Sequence, residues 1–337
     1  MLRFLPIFST LLCLILAGCG GGKGDYVGPR YGLQDLALSP DGKLAAVRFV
    51  DHELKRQGFG LYDIARGRFT PLPNPAPDKS FSDPAFSPDG KRIVAVSGNQ
   101  LVLIDLPGMA VTRITEGGQG FKESPAFLPD GSGILYVLSN PARFMLINLA
   151  NNQEREMLDP IVGFGTIGRP FFGGPDRVIF TASSPRNPEL YAEVEKFPDS
   201  RPTIDTHVYG MKFGDQPALI LNNLWIEGKK KSRWFAGQTN LQASKDAKKI
   251  IFIDYAASPK GPENNVDQEL FAIDDGQLKQ LTHLNASLTA AAISYDGSIA
   301  AVGCDSGHSM YFDLCLIDMA SGKVRKAGLL GELRSAD

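Results

Sequence analysis

This chain of 337 residues is poor in the groups that most enzyme chemistry needs: it has four histidines, four cysteines and two tryptophans. No HExxH and no Cys/His spacing suited to zinc occurs, which argues against a zinc site. No GxSxG elbow occurs, which argues against an attached serine hydrolase domain. No acidic loop of the EF-hand kind is present either. Beyond the N-terminus no apolar run is long enough to span a membrane, and no stretch sustains a helical period. Charge of either sign is scarce in excess: 35 Lys and Arg face 37 Asp and Glu, so nothing pulls the chain as a whole toward nucleic acid.

What is present begins at the N-terminus. Residues 1–18 read as an export signal, with Arg3, an apolar stretch through Leu16 and then small residues. They end in Leu16-Ala17-Gly18-Cys19, which resembles a bacterial lipobox. Small residues admit a peptidase to the backbone, and the Cys19 thiol supplies the atom for lipid attachment. The alternative is an ordinary secretory signal in which Cys19 is incidental. Residues 19–30 follow as a lipidated Cys and a flexible Gly-rich tether. Several acyl chains would hold the protein stably at a membrane. Gly20, where an Asp is absent, resembles lipoproteins routed to the outer membrane, facing the periplasm. Export also suits the remaining cysteines, Cys304 and Cys315, an even pair for an oxidising compartment.

From residue 31 to 337 one pattern repeats. DLALSPDGKLAAVRF starts at Asp35, DPAFSPDGKRIVAVS at Asp83 and SPAFLPDGSGILYVL at Ser124. RPFFGGPDRVIFTAS at Arg169 and NLQASKDAKKIIFID at Asn240 are degraded copies, and AAAISYDGSIAAVGC starts at Ala290. The turn positions Ser39, Ser87, Leu128, Gly174, Ser244 and Ser294 are spaced by 48, 41, 46, 70 and 50 residues, which is the spacing of propellers or other repeat arrays. Each copy has a second half, such as GLYDIARGRFTPL or FDLCLIDMASGKVRKA; for the fourth, HVYGMKFGDQPALIL fits best. Every unit therefore reads as four short strands bounded by turn residues. The expected fold class is all-β: a six-bladed β-propeller of four-stranded antiparallel blades.

The repeats resemble TolB-like propeller repeats, WD-like units with a Pro-Asp-Gly turn. The resemblance covers roughly Tyr31 to Leu330 and implies the six blades. TolB carries a separate α/β domain before its propeller, for which there is no room between Cys19 and the first repeat. The chain is thus a relative of that fold and not TolB itself.

The recurrence of SPDG has a conformational reason. Pro fixes φ at the first central position of a tight turn, Asp tolerates the second, and Gly takes the positive φ that follows. The preceding Ser can bond donors inside the turn. Each blade needs the same hairpin, so a structural turn explains the motif better than a ligand site does.

No catalytic residues, metal or cofactor are expected. Acidic side chains near strand starts include Asp35, Asp83, Glu123 and Asp305, which either cap turns or, in a propeller enzyme, would gather at the channel. His308, in a loop with Asp305 and Ser306 and with Asp313 nearby, is the histidine closest to such a role. Cys304 and Cys315 flank this loop; pairing symmetric about residues 309–310 would set them opposite each other, within reach of a disulfide. In the swollen fourth interval, NNLWIEGKKKSRWFAG reads as a hairpin with its tip at Gly228–Ser232. It holds both tryptophans, Trp225 and Trp234, and a basic tip of Lys229, Lys230, Lys231 and Arg233. Those residue types suit a binding contact or an anionic surface, and equally a solvated turn over core tryptophans. The favoured reading is a non-catalytic envelope scaffold that binds a protein or peptide. The alternatives are a propeller hydrolase or lyase acting on sugars or lactones, and a small-ligand sensor using the channel. Ring closure is left open: either a strand from the N-terminus completes the last blade, or that blade is complete within itself.

Overall fold

Short Val-, Ile- and Ala-rich runs separated by Pro-Asp-Gly turns can bury both faces only by stacking sheet on sheet, and they do. The computed structural model describes residues 31–73, 80–118, 120–139, 142–157, 166–185, 204–213, 215, 217–221, 224–227, 231–234, 241–255, 268–275, 277–284, 288–305, 312–329 and 333. The described strands form six antiparallel blades and one separate two-stranded hairpin. Blade 1 is Tyr31–Leu38, Leu44–Asp51, Arg56–Asp63 and Arg68–Pro71. Blade 2 is Phe81–Phe86, Arg92–Ser97, Gln100–Asp105 and Ala110–Arg113. Blade 3 is Lys122–Phe127, Gly133–Leu138, Arg143–Asn148 and Gln153–Glu156. In blade 4 the first strand is split into Thr166–Ile167 and Phe171–Phe172, followed by Arg177–Pro185, Ile204–Lys212 and Ala218–Leu221. Blade 5 is Gln242–Ala243, Lys249–Tyr255, Gln268–Asp274 and Gln277–Gln280. Blade 6 is Leu288–Ile293, Ile299–Asp305, Phe312–Asp318 and Val324–Lys326.

Six apolar clusters join consecutive blades and close the ring. Leu61 meets Phe81 between blades 1 and 2, and Val94 meets Tyr136 between 2 and 3. Phe144 and Phe180 meet edge to face at 5.1 Å between 3 and 4. Ile179 joins Phe252, Ile251 joins Val302, and Leu314 joins Val47 across the remaining three seams. Side chains of this size each contribute roughly 1.5–3 kcal/mol when fully buried. Burial falls off outward: Gly133–Leu138 is buried at every position, whereas Gln153–Glu156 is exposed at every position.

The last blade is built wholly from C-terminal strands. The seam with blade 1 is closed without a shared strand: Leu329 and Leu333 are buried in it, the Tyr62 hydroxyl donates to the Ala327 carbonyl, and the Tyr295 N–H donates to the Pro40 carbonyl. Of the two closures open to the sequence, the self-contained blade is the one adopted.

Antiparallel order fixes what lies at each end. First strands of neighbouring blades touch at the 1–2, 2–3, 4–5, 5–6 and 6–1 seams, so they line the centre. The turns between first and second strands, and between third and fourth, leave from one end, the turn face. The connections between second and third strands, and from blade to blade, leave from the other, the loop face.

Candidate functional site

The turn face is a ring of near-identical hydrogen-bonded turns. Ser39, Ser87, Ser244 and Ser294 are buried, and each hydroxyl donates to the Asp two residues on, at 2.7, 2.6, 2.8 and 2.6 Å. Each also accepts from the backbone N–H five residues on, at 2.9–3.1 Å. The Ser hydroxyl is the main reason that Asp41, Asp89, Asp246 and Asp296 ionise below the usual carboxylate range. In blade 3, where Leu128 replaces Ser, Ser132 compensates from the far side: its N–H and hydroxyl both reach Asp130, and they hold that carboxyl low as well. Gly42, Gly90, Gly131 and Gly297 all take positive φ, 66–74°. In blade 5 Ala247 takes the same conformation at φ 53°. The turns also touch one another. A methyl on Gly90 would meet the Pro40 ring at 3.4 Å, and one on Gly297 would meet Ser244 at 3.2 Å. The motif therefore shapes hairpins and seats neighbouring blades.

Blade 4 departs from this. The N–H that closes its turn belongs to Gly173, bonded to the Arg177 carbonyl, so Gly173 and not Gly174 stands where other blades have Ser. Its turn is one residue shorter and has no Ser–Asp clasp.

At the centre, the first strands share a second feature that sequence reading missed. Pairing slips between Leu33 and Asp35, between Ser82 and Ala85, across Ser124 and Pro125, and between Thr289 and Ala291. Asp83, Ser124 and Ala290, which occupy one column of the repeat, have positive φ there. Bulges of this kind re-aim side chains. The column's member in blade 4 is Arg169, in the gap that splits the first strand. The adjoining Gly168 is required by a close approach: a Cβ there would lie 2.1 Å from the Thr181 hydroxyl.

Released from the ladder, Arg169 crosses to blade 2, past blade 3. Its guanidinium donates to the Pro84 carbonyl at 3.0 Å and pairs with Asp83 at 3.2 Å, with only 14% of the Arg side chain exposed. From the turn face Tyr295, in the column that holds Pro in blades 1 to 3, reaches the same strand, its hydroxyl 3.4 Å from the Phe86 carbonyl. Burial first, and the charge of Asp89 second, push the Tyr295 hydroxyl up to about 12. Between these two crossings lies a cavity of about 100 Å³ with walls from all six blades.

The acidic residues expected at the channel are dispersed. Asp35 pairs with Arg48 at 2.9 Å, and Arg48 also donates to Gln57. Asp83 holds Arg169, and Glu123 accepts from Ser139 at 3.3 Å. Asp313 is buried in the last blade. Among the described residues no group of three or more His, Cys, Asp or Glu gathers as metal ligands would. His308 and Ser306 lie outside the described residues, as does the Asp305 side chain.

On the loop face, Cys304 and Cys315 form a disulfide with their Cα atoms 5.8 Å apart. The expected register is corrected: Cys304 stands opposite Asp313 and Cys315 opposite Val302, so the bridge is diagonal across the ladder. The strands pair two residues out from the expected symmetry because the hairpin centre falls between residues 308 and 309, not 309 and 310. The expected hairpin between blades 4 and 5 is present as a two-stranded sheet of its own, Leu224–Glu227 with Lys231–Trp234. Trp225 stands opposite Arg233 and Trp234 opposite Leu224. Lys229 and Lys230 lie outside the described residues, as does Cys19 with all of residues 1–30.

Six four-stranded blades around a common centre define a TolB-like propeller fold. A family model for the N-terminal region of dipeptidyl peptidase IV matches residues 39–128, from the first turn to the first strand of blade 3. No curated protein sequence matches the chain. Solved structures are similar at low identity. TolB from Acinetobacter baumannii is 18% identical with a TM-score of 0.52, over 92% of this chain and 66% of that one, so the chain spans just under two thirds of that relative. A putative TolB from Agrobacterium tumefaciens is 14% identical with a TM-score of 0.54, over 79% and 86%. An oligogalacturonate lyase from Vibrio parahaemolyticus is 13% identical with a TM-score of 0.51, over 89% and 77%. At such identities these likenesses establish the shared fold.

Proposed function

We propose that this protein is a lipid-anchored envelope propeller that works without catalysis, binding a protein or peptide partner on its loop face. The observation that carries the reading is the asymmetry of the two ends. One end is a ring of tight turns, several of them in contact with or bonded to the next. The other bears the long connections of blade 4 and an extra hairpin that belongs to no blade. Rigid scaffolds that present variable loops on one side are suited to recognition. Trp225, Trp234 and the Lys229–Arg233 tip supply the aromatic and cationic groups favoured at contact hot spots. The LAGC sequence ending at Cys19 supports acylation there and periplasmic exposure from the outer membrane, and the neighbouring TolB structures are consistent with an envelope setting.

Crosslinking and capture from intact envelopes tests this. A Trp225→Ala/Trp234→Ala variant should lose its partner, whereas Asp130→Lys on the turn face should keep it. Capture of the same proteins by all three forms would overturn the reading, and a Cys19→Ser variant released from membranes tests the anchor separately.

A further inference from the structure

We propose that the central cavity is a binding site for a small carboxylate with an apolar body, paired to Arg169. The lining is mixed: alanine, proline and four phenylalanine rings supply apolar surface, and Arg169, Gln242, Ser244, Lys245 and Tyr295 supply polar groups. Arg169 and Lys245 are the charged residues of that lining, and no carboxylate belongs to it. A guanidinium has five N–H donors in a planar fork. Among the described residues Arg169 donates to the Pro84 carbonyl and to one oxygen of Asp83, and the rest of its fork is left for a ligand of the cavity it lines. Small-molecule sites share this composition, an apolar cleft with few polar groups that fix orientation.

The resident counter-ion is poorly held. Asp83 sits at φ 51° on a bulge, and its second oxygen has only the Ser124 N–H, at 3.4 Å. An incoming carboxylate can form the bidentate pair that Asp83 does not make with Arg169. Tyr295 closes the turn-face side with a neutral phenol, kept protonated by burial, whose one O–H already points at the Phe86 carbonyl and whose oxygen can only accept from a ligand. The cavity thus selects for one negative charge at the Arg169 end and an apolar remainder. This site is separate from the loop face and does not depend on the partner proposed there.

The test is titration of the purified full-length chain with phenylacetate and with phenylacetamide, its neutral counterpart, followed by saturation-transfer NMR. The acid should bind roughly tenfold more tightly than the amide, as expected of a charge-assisted pair. Asp83→Asn removes the competing anion and should tighten phenylacetate several-fold, and Arg169→Gln should abolish the preference for acid over amide. Ala126→Leu, which fills the cavity from blade 3 and leaves the ion pair intact, should weaken both probes. Should Arg169→Gln fail to fold, Asp83→Asn and Ala126→Leu still decide the matter. The proposal fails if acid and amide bind equally, if Ala126→Leu leaves binding unchanged, or if neither wild type nor Asp83→Asn binds the acid up to about 10 mM, near the weakest affinity such titrations resolve.

Discussion

The turn face and the loop face of this propeller are held together by different means. On the turn face the same Ser–Asp–backbone clasp recurs in four blades, with a substitute clasp from Ser132 in a fifth. On the loop face the described devices are more varied, although blades 2 and 5 share one, in which Thr115 and Thr282 accept from the Leu101 and Leu270 N–H groups. Blade 1 uses Asp35, Arg48 and Gln57. Between blades 2 and 3, the buried Lys122 ammonium donates to the Gly117 carbonyl at 2.8 Å while its backbone N–H bonds Asn99. Blade 6 uses the disulfide. A local clasp can be copied with the repeat because all its atoms lie within six residues. Devices that join distant residues need separate positions to match at once, so most differ between blades, and that leaves the loop face freer to diverge.

Four experiments would break or sharpen this contrast. Replacing Cys304 and Cys315 by Ser should cost the most, about 2–4 kcal/mol for losing a short closed loop; the urea midpoint of reduced wild type should match the variant, and that of oxidised wild type should lie above both. Ser87→Ala removes a buried hydroxyl that serves the Asp89 carboxylate and the Arg92 N–H, and should cost about 1–3 kcal/mol in urea unfolding. Ser132→Ala, at the exposed substitute clasp, should cost less. Ala247→Gly should add up to about 1 kcal/mol, read as a raised thermal midpoint, by relieving a positive φ that alanine adopts only under strain.

The smallest effect is on pH dependence. Asp41, Asp89, Asp130, Asp246 and Asp296 all ionise lower in the folded chain than an ordinary carboxyl does. Each therefore adds stability above the unfolded value of about 4, and that contribution disappears as pH falls through the lower folded value. Urea midpoints measured downward through that window should fall more steeply for wild type than for Ser87→Ala, which lacks the main cause of the shift at Asp89. An equal slope would show that the clasp does not couple to titration.

Much of this was legible in the residues. The turn spacing foretold six blades, and Ser, Pro, Asp and Gly foretold hairpins because each acts on its own backbone or on a neighbour a few positions away. The hairpin around Trp225 was legible for the same reason. Arg169 was passed over because it sits in a copy treated as decayed, and Tyr295 because the sixth copy was read only for its Asp-Gly turn. The available signal was positional: Arg stands in the column that holds Asp83, and Tyr in the column that holds Pro40 and Pro88. Reading the columns for intruders would have found both; the ion pair between residues 83 and 169 could not have been inferred from spacing.

The sequence alone determined the repeat, the blade count, the turn chemistry and the pair of cysteines, since these rest on short-range conformational preference and alternation. Tertiary structure decided how the ring closes, which register sets Cys304 across from Asp313, and what fills the centre. Those depend on which surfaces meet after six sheets pack. Arg169 becomes a crossing between blades 2 and 4 only because the ring brings Asp83 within 3.2 Å of it, across 86 residues of chain.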